Sequence, residues 1–365
     1  MKGLFITTRN IDRLKEKETG IFNKINSQYK LFEKEFDMKM LSYSKHQYFF
    51  FAFLSKIPFF PVNISWKLSK HEMNLDFVYY RFETGNPSII RLLRRIKKTN
   101  PECKIIVEFS VYPIDWNSYT FPRNLAKYNY LRCAEKLSKI ADRSVVYGDH
   151  KEAYGIPAII TQNGIDVDAV SRRIICPTDQ IRLISVSKMI YWHRIDRMIR
   201  GLYEYYQSGG NRDIVFNIVG SGTENDNLRA LVEELHLEKH VFFHGYKSGK
   251  ELDDLFNRSD IAVDGLTDYP KQNSSLKSRE YWAKGMPVVT SNIFPTETSE
   301  ISKYILTVPS EDKPVELSKV LEFYESFYGE SLQKAEQNCK IINWFAKNHY
   351  DMSVALEPII KYIKI

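Results

Sequence analysis

Cysteine is scarce. Four residues, Cys103, Cys133, Cys176 and Cys339, stand far apart in a chain of 365, with no Cys-x-x-Cys pair. That spacing speaks against a structural zinc site and against a disulfide framework, and points to a reducing compartment. Long apolar runs are missing as well. The longest, residues 48–62, is broken by Lys56, Pro58 and Pro61, and it falls short of the roughly 20 residues that a membrane-spanning helix needs. The first residues lack the apolar core of a signal peptide and run straight into an expected strand. A cytoplasmic location is therefore expected, with the inner face of the plasma membrane as a place to work. There is no short-period repeat, no Gly/Ser linker and no low-complexity tract, so neither a solenoid nor a disordered chain fits.

What is present suits two α/β domains. The length fits two units of about 150 to 180 residues, and a hydrophobic share of 43% is ample for buried cores. Short apolar runs alternate with amphipathic stretches. Strands are expected at 3–7, 38–42, 77–80, 104–109, 143–147 and 158–161, and again at 182–186, 214–219, 241–244, 261–263 and 287–290. Helical stretches between them imply parallel sheets covered by helices. The expected division is 1–168, 169–340, and a C-terminal helical segment, 341–365, packing back on the first domain. Two such units facing one another imply a ligand cleft at the carboxyl ends of the strands. The net charge of +7 and pI near 8.9 fit an anionic partner: a nucleotide diphosphate, a lipid surface or a nucleic acid.

Three segments of the second half carry chemistry. At the end of an expected strand, Lys188 is followed by His193 and Arg194 at the start of a helix. Positive charge beside a helix N-terminus suits a diphosphate, and a solvated basic turn is the plainer reading. Gly220, Ser221 and Gly222 follow another strand and would let the backbone approach a ligand, although many such turns need glycine only for its dihedrals. In the third segment Ser274 or Ser275 can cap a helix whose first turn offers free amides, with Leu276 and Lys277 beside them. Glu280, one turn on, is placed to accept hydrogen bonds from vicinal ribose hydroxyls, or else to pair with Lys284 at i,i+4. Tyr246 and Lys247 are expected to border a base.

Residues 275–289 (SLKSREYWAKGMPVV) resemble a segment of glycosyltransferase family 4, and 191–202 (YWHRIDRMIRGL) look like a segment of its capsule-type members. Residues 216–222, 241–263 and 163–167 match the family in order and spacing, and 76–82 and 104–113 look like its inner strands. The resemblance implies a GT-B fold and a retaining transferase of hexosyl type. It would move sugar from a nucleotide-diphosphate sugar to a saccharide or lipid-linked saccharide in surface polysaccharide or glycoconjugate assembly. It also implies that Glu280 holds the ribose, that Lys188 meets the diphosphate, and that a further basic position falls at His193 or Arg194. The first of the family's paired carboxylates falls on Gln272, which hydrogen-bonds but carries no charge. Gly20, in the loop 18–21, resembles a glycine loop at donor or acceptor phosphates.

Ser110 or Glu108 stands near the place of a functional histidine. Glu108 would orient an acceptor hydroxyl or act as a base, or else pair with a local arginine. No cofactor, metal or nucleic acid is expected. Aromatic and basic residues over 43–71 suit peripheral contact with anionic lipid, unless those rings fill the core. Two other functions stay open: a nucleotide-sugar epimerase of the same fold, and a nucleotide-sugar-binding protein without turnover.

Overall fold

A computed structural model describes residues 1–16, 20–54, 57, 68–116, 123–176, 178–267, 275–292 and 299–365. The chain divides into two compact units, residues 1–163 with 352–365, and residues 164–351.

The first unit is built on strands β1 (Lys2–Thr7), β2 (Asp37–Leu41), β3 (Phe77–Arg81), β4 (Lys104–Glu108), β5 (Arg143–Tyr147), β6 (Glu152–Ala153) and β7 (Ile156–Thr161). Their order is β2-β1-β3-β4-β5-β7-β6, parallel except for the edge pair β6–β7. The inner strands are apolar on both faces, as strands covered on two sides must be, and Phe77, Val78, Tyr79 and Tyr80 are all fully buried. The covering helices are α1 (Ile11–Glu16), α2 (Gly20–Glu35), α3 (Lys45–Leu54), α4 (Pro87–Thr99) and α5 (Ala126–Leu137). Asn86 caps α4 by accepting from Ser88 N at 2.8 Å, with Pro87 in the first turn where its missing N–H costs nothing. The last helix, α13 (Met352–Lys364), belongs to this unit and buries Leu356, Ile359 and Ile363 against Phe5, Ile106 and Val145.

The second unit holds β8 (Ile181–Val186), β9 (Ile214–Val219), β10 (Val241–Gly245), β11 (Ile261–Val263), β12 (Val288–Thr290) and β13 (Ile305–Thr307). All pair in parallel, in the order β10-β9-β8-β11-β12-β13. The chain builds outward from β8 in one direction, then returns to its other side. That reversal, between β8 and β11, is where an open α/β sheet leaves a crevice. Its helices are α6 (Ile195–Gln207), α7 (Asn225–Glu234), α8 (Gly249–Asn257), α9 (Leu276–Ala283), α10 (Ser299–Ser302), α11 (Leu317–Tyr328) and α12 (Leu332–Tyr350). Trp282 of α9 stacks on Tyr350 of α12 with centroids 5.3 Å apart, fixing α9 from behind.

The expected strands are all present. The short strands β6 and β13 were not expected, nor were α1, α3 and α10. The apolar run 48–62 contributes to α3, which ends at Leu54. Among the described residues, no helix is long and apolar enough to cross a membrane.

Candidate anion-binding site of the second unit

The carboxyl ends of β8 and β9 open on a cavity of about 430 Å³, lined by Ser187, Lys188, Gly220, Ser221, Tyr246, Lys247 and Lys277 among others. Two loops build its floor by packing backbone on backbone. Ser187 N donates to Val219 O at 2.9 Å and Met189 N to Ser221 O at 3.1 Å. A Cβ on Gly220 would lie 1.9 Å from Ser187 O, and one on Gly222 2.0 Å from Met189 O. Gly220 also sits at φ 126°. Both glycines are thus required by the loop contact, and Gly220 also by its dihedrals, which was the plainer sequence reading. Gly220 and Ser221 nevertheless face the cavity, and the buried Ser187 hydroxyl makes no hydrogen bond among the described residues.

Helix α9 supplies the third side. Its N-cap is Ser275 in extended conformation. The Ser275 hydroxyl does not cap the helix. It donates at 2.6 Å to Asp264, the residue that follows β11. Ser278 Oγ donates to the same carboxylate, Gly265 N reaches it at 2.7 Å, and Lys277 Nζ lies 3.2 Å away. Burial would push the Asp264 carboxyl up. Lys277 and these donors outweigh it and hold the group near 2. Leu276 opens the helix. Tyr281 Oη accepts from Val186 N at 2.9 Å, tying α9 to the end of β8.

Glu280 lies one turn beyond Lys277, partly buried and outside the cavity lining. Burial pushes its carboxyl up, opposed by Lys284 and reinforced by Asp253. The expected alternative partner is taken: Lys284 Nζ pairs with Asp253 at 2.6 Å. The Glu280 carboxylate makes no hydrogen bond or ion pair among the described residues.

Two expected cations of the site behave otherwise. His193 ends a 3-10 turn and is buried. Its Nδ1 is 2.6 Å from Lys188 O, a carbonyl that can only accept, so Nδ1 carries the proton. Its Nε2 is 3.2 Å from Lys277 Nζ, which can only donate. Burial lowers the imidazole pKa, Lys277 lowers it further, and Asp264 and the Lys188 carbonyl only partly offset this, leaving it near 4. His193 is neutral. Arg194, in left-handed conformation at φ 50°, turns to Asp196 at 3.0 Å and to Asp312. With Tyr191, Arg200, Glu224 and Glu234 it lines a separate cavity of about 510 Å³.

Other expected residues lie in the first unit. Glu108 is fully buried, 3.1 Å from Arg81 and 3.7 Å from Lys24. It accepts from Tyr147 Oη at 2.7 Å, Tyr79 Oη at 2.9 Å, and Ser110 Oγ and Gln28 Nε2 at 3.3 Å. Burial acts to raise its pKa, but Arg81, Lys24 and the two tyrosines bring it down to about 2. So saturated a carboxylate is a poor base. The local-arginine reading is the one realised. Gly20 is the first residue of α2, and a Cβ there would meet nothing within 4 Å among the described residues, none of which demands glycine. Gln272, Ser274 and residues 18–19 lie outside the described residues.

The sequence reading missed Asp264, Ser278 and Ser187. An acid directly after the apolar strand 261–263 was the available signal for Asp264.

Residues 166–338 match the family model described as glycosyl transferases group 1. No curated protein matches the chain. Among solved structures, a glycosyltransferase from Rickettsia africae ESF-5 is similar at 14% identity and TM-score 0.64, covering 100% of this chain and 97% of that one. Anabaena Alr3699/HepE in complex with UDP is similar at 13% identity and TM-score 0.57, with 100% of both chains covered. A sucrose-phosphate synthase from Thermosynechococcus elongatus is similar at 11% identity and TM-score 0.58, covering 100% and 98%. At such identities the likeness establishes the fold: two Rossmann-like α/β units of the GT-B kind.

Proposed function

We propose that the chain is a glycosyltransferase that takes a sugar from a nucleoside-diphosphate sugar, holding the diphosphate in the cavity beneath Lys188, Lys247 and Lys277. The observation that carries this reading is the placing of three lysines and two glycine-loop residues around one cavity at the carboxyl ends of β8, β9 and β10, beside the reversal of strand order at β8. The unpaired carboxylate of Glu280, on the Lys277 face of α9, fits vicinal ribose hydroxyls. The match of residues 166–338 to glycosyl transferases group 1 points the same way. UDP is the first nucleotide to try, because the similar Anabaena protein was crystallised with it.

The resemblance to family 4 supports a retaining course. The acceptor oxygen bonds to the anomeric carbon on the face from which the diphosphate departs, and the acceptor proton passes to the leaving phosphate oxygen. Lysine charge at the departing diphosphate would be the protein's chief contribution. For the acceptor, a lipid-linked saccharide at a membrane surface is the reading we favour, because α3 exposes Phe49, Phe50 and Phe53 within the aromatic-basic stretch.

Incubation with UDP-, GDP- and dTDP-sugars, followed for release or transfer of sugar, tests the assignment. Release of free sugar supports it. An epimer as the sole product, or binding without conversion, would replace it with one of the two other functions.

A further inference from the structure

The observations reach furthest around Lys277. Its ammonium has three N–H donors. One meets Asp264 Oδ1 at 3.2 Å and a second meets His193 Nε2 at 3.2 Å, leaving a third for the cavity that Lys277 lines. Both anchors are themselves fixed. Asp264 is gripped by Ser275, Ser278 and Gly265 N. His193 is pinned through Nδ1 to Lys188 O, and its own carbonyl accepts from Leu266 N at 3.1 Å.

We propose that His193 is a positioning residue rather than a ligand of the anion: a neutral imidazole that joins the β8 turn to α9 and aims Lys277 at the diphosphate. The inference rests on the donor-site reading above and assigns His193 a role within it. Because the ring carries no charge, removing it leaves the site's net charge unchanged. A loss of affinity would then report aim rather than electrostatics. An imidazolium would face an ammonium, so the arrangement works only in the neutral tautomer. The charged groups acting on the ring are Lys277 and Asp264.

The experiment uses the full chain with UDP as probe, read by calorimetry. His193→Leu is expected to weaken UDP about tenfold, the effect of one charge-assisted hydrogen bond lost from the phosphates. His193→Gln, whose side-chain oxygen can accept from Lys277, should recover most of that loss. A second measurement needs no ligand. By NMR, His193 of the wild type should titrate near 4, and Lys277→Met should move that titration up toward the ordinary histidine value. Equal UDP affinity in wild type and His193→Leu overturns the proposal, as does an imidazole titration that Lys277→Met leaves in place. If wild type binds no nucleoside diphosphate, the donor-site reading falls and takes this inference with it. If wild type binds and His193→Leu binds equally, the donor site stands and only the positioning role is lost.

Discussion

Glu108 in the first unit and Asp264 in the second are both buried carboxylates at strand ends, and both are held near pKa 2 by cations and hydrogen-bond donors, two cations for Glu108 and one for Asp264. They differ in what their cations do next. Around Glu108 the side chains of Arg81 and Lys24 are 3% and 8% exposed, and the carboxylate they share is fully buried. Around Asp264 the side chain of Lys277 is 24% exposed and lines a cavity. One cluster closes on itself and the other opens on a ligand-sized space. A depressed carboxylate pKa therefore marks neither a site nor a strut. The fate of the partner's remaining donors decides.

The largest expected effect lies in the closed cluster. Glu108→Ala removes the nearer counter-charge of Arg81, leaving Glu83 at 3.8 Å, and should cost about 3–5 kcal/mol of stability, read as a lowered denaturant midpoint. The pH dependence has the matching sign. Glu108 titrates near 2 when folded and near 4.5 when unfolded, so its stabilisation is full above 4.5 and drains away as pH falls toward 2. It amounts to about 3 kcal/mol. A wild type whose stability is flat across that window would contradict the account of Glu108.

Next in size is Gly220→Ala, which forces a Cβ into the Ser187 carbonyl at a left-handed position. It should cost about 2–3 kcal/mol and distort the cavity floor, lowering nucleotide affinity as well as the melting temperature. Glu280→Ala should behave differently. Stability should hardly change, while UDP affinity falls about 10- to 100-fold through loss of charge-assisted hydrogen bonds. Unchanged affinity would remove Glu280 from the site. Arg194→Ala is expected to do least. Its partly exposed pairing with Asp196 and Asp312 is worth under about 1 kcal/mol, and UDP affinity should stay near that of wild type. A large loss there would move the phosphates toward the neighbouring cavity.

The sequence disclosed most of the fold because its strands are apolar runs bounded by helical periodicity. It hid β6 and β13, short strands at the edges of their sheets with few buried residues and so no continuous apolar run. The start of α9 was legible from Ser275. The hydroxyl's true destination was not, since Asp264 lies eleven residues upstream across the sheet. His193 shows the same limit. Its residue type suggests a cation near phosphate, yet its tautomer is dictated by Lys188 O and Lys277, contacts that exist only after folding. Glu108 read as an acceptor-orienting group or base, or else as the partner of a local arginine, and its saturation by partners from β3, β5, α2 and the residues after β4 has no local signature.

The central claim is that Lys188, Lys277 and the glycine loop grip a diphosphate, and a crystal structure with UDP tests it most directly. Diphosphate oxygens should lie within hydrogen-bonding distance, about 3 Å, of Lys277 Nζ, with the ribose hydroxyls on Glu280. A diphosphate bound instead against Arg194 and Arg200, with Lys277 still turned to Asp264 and His193 alone, would contradict it.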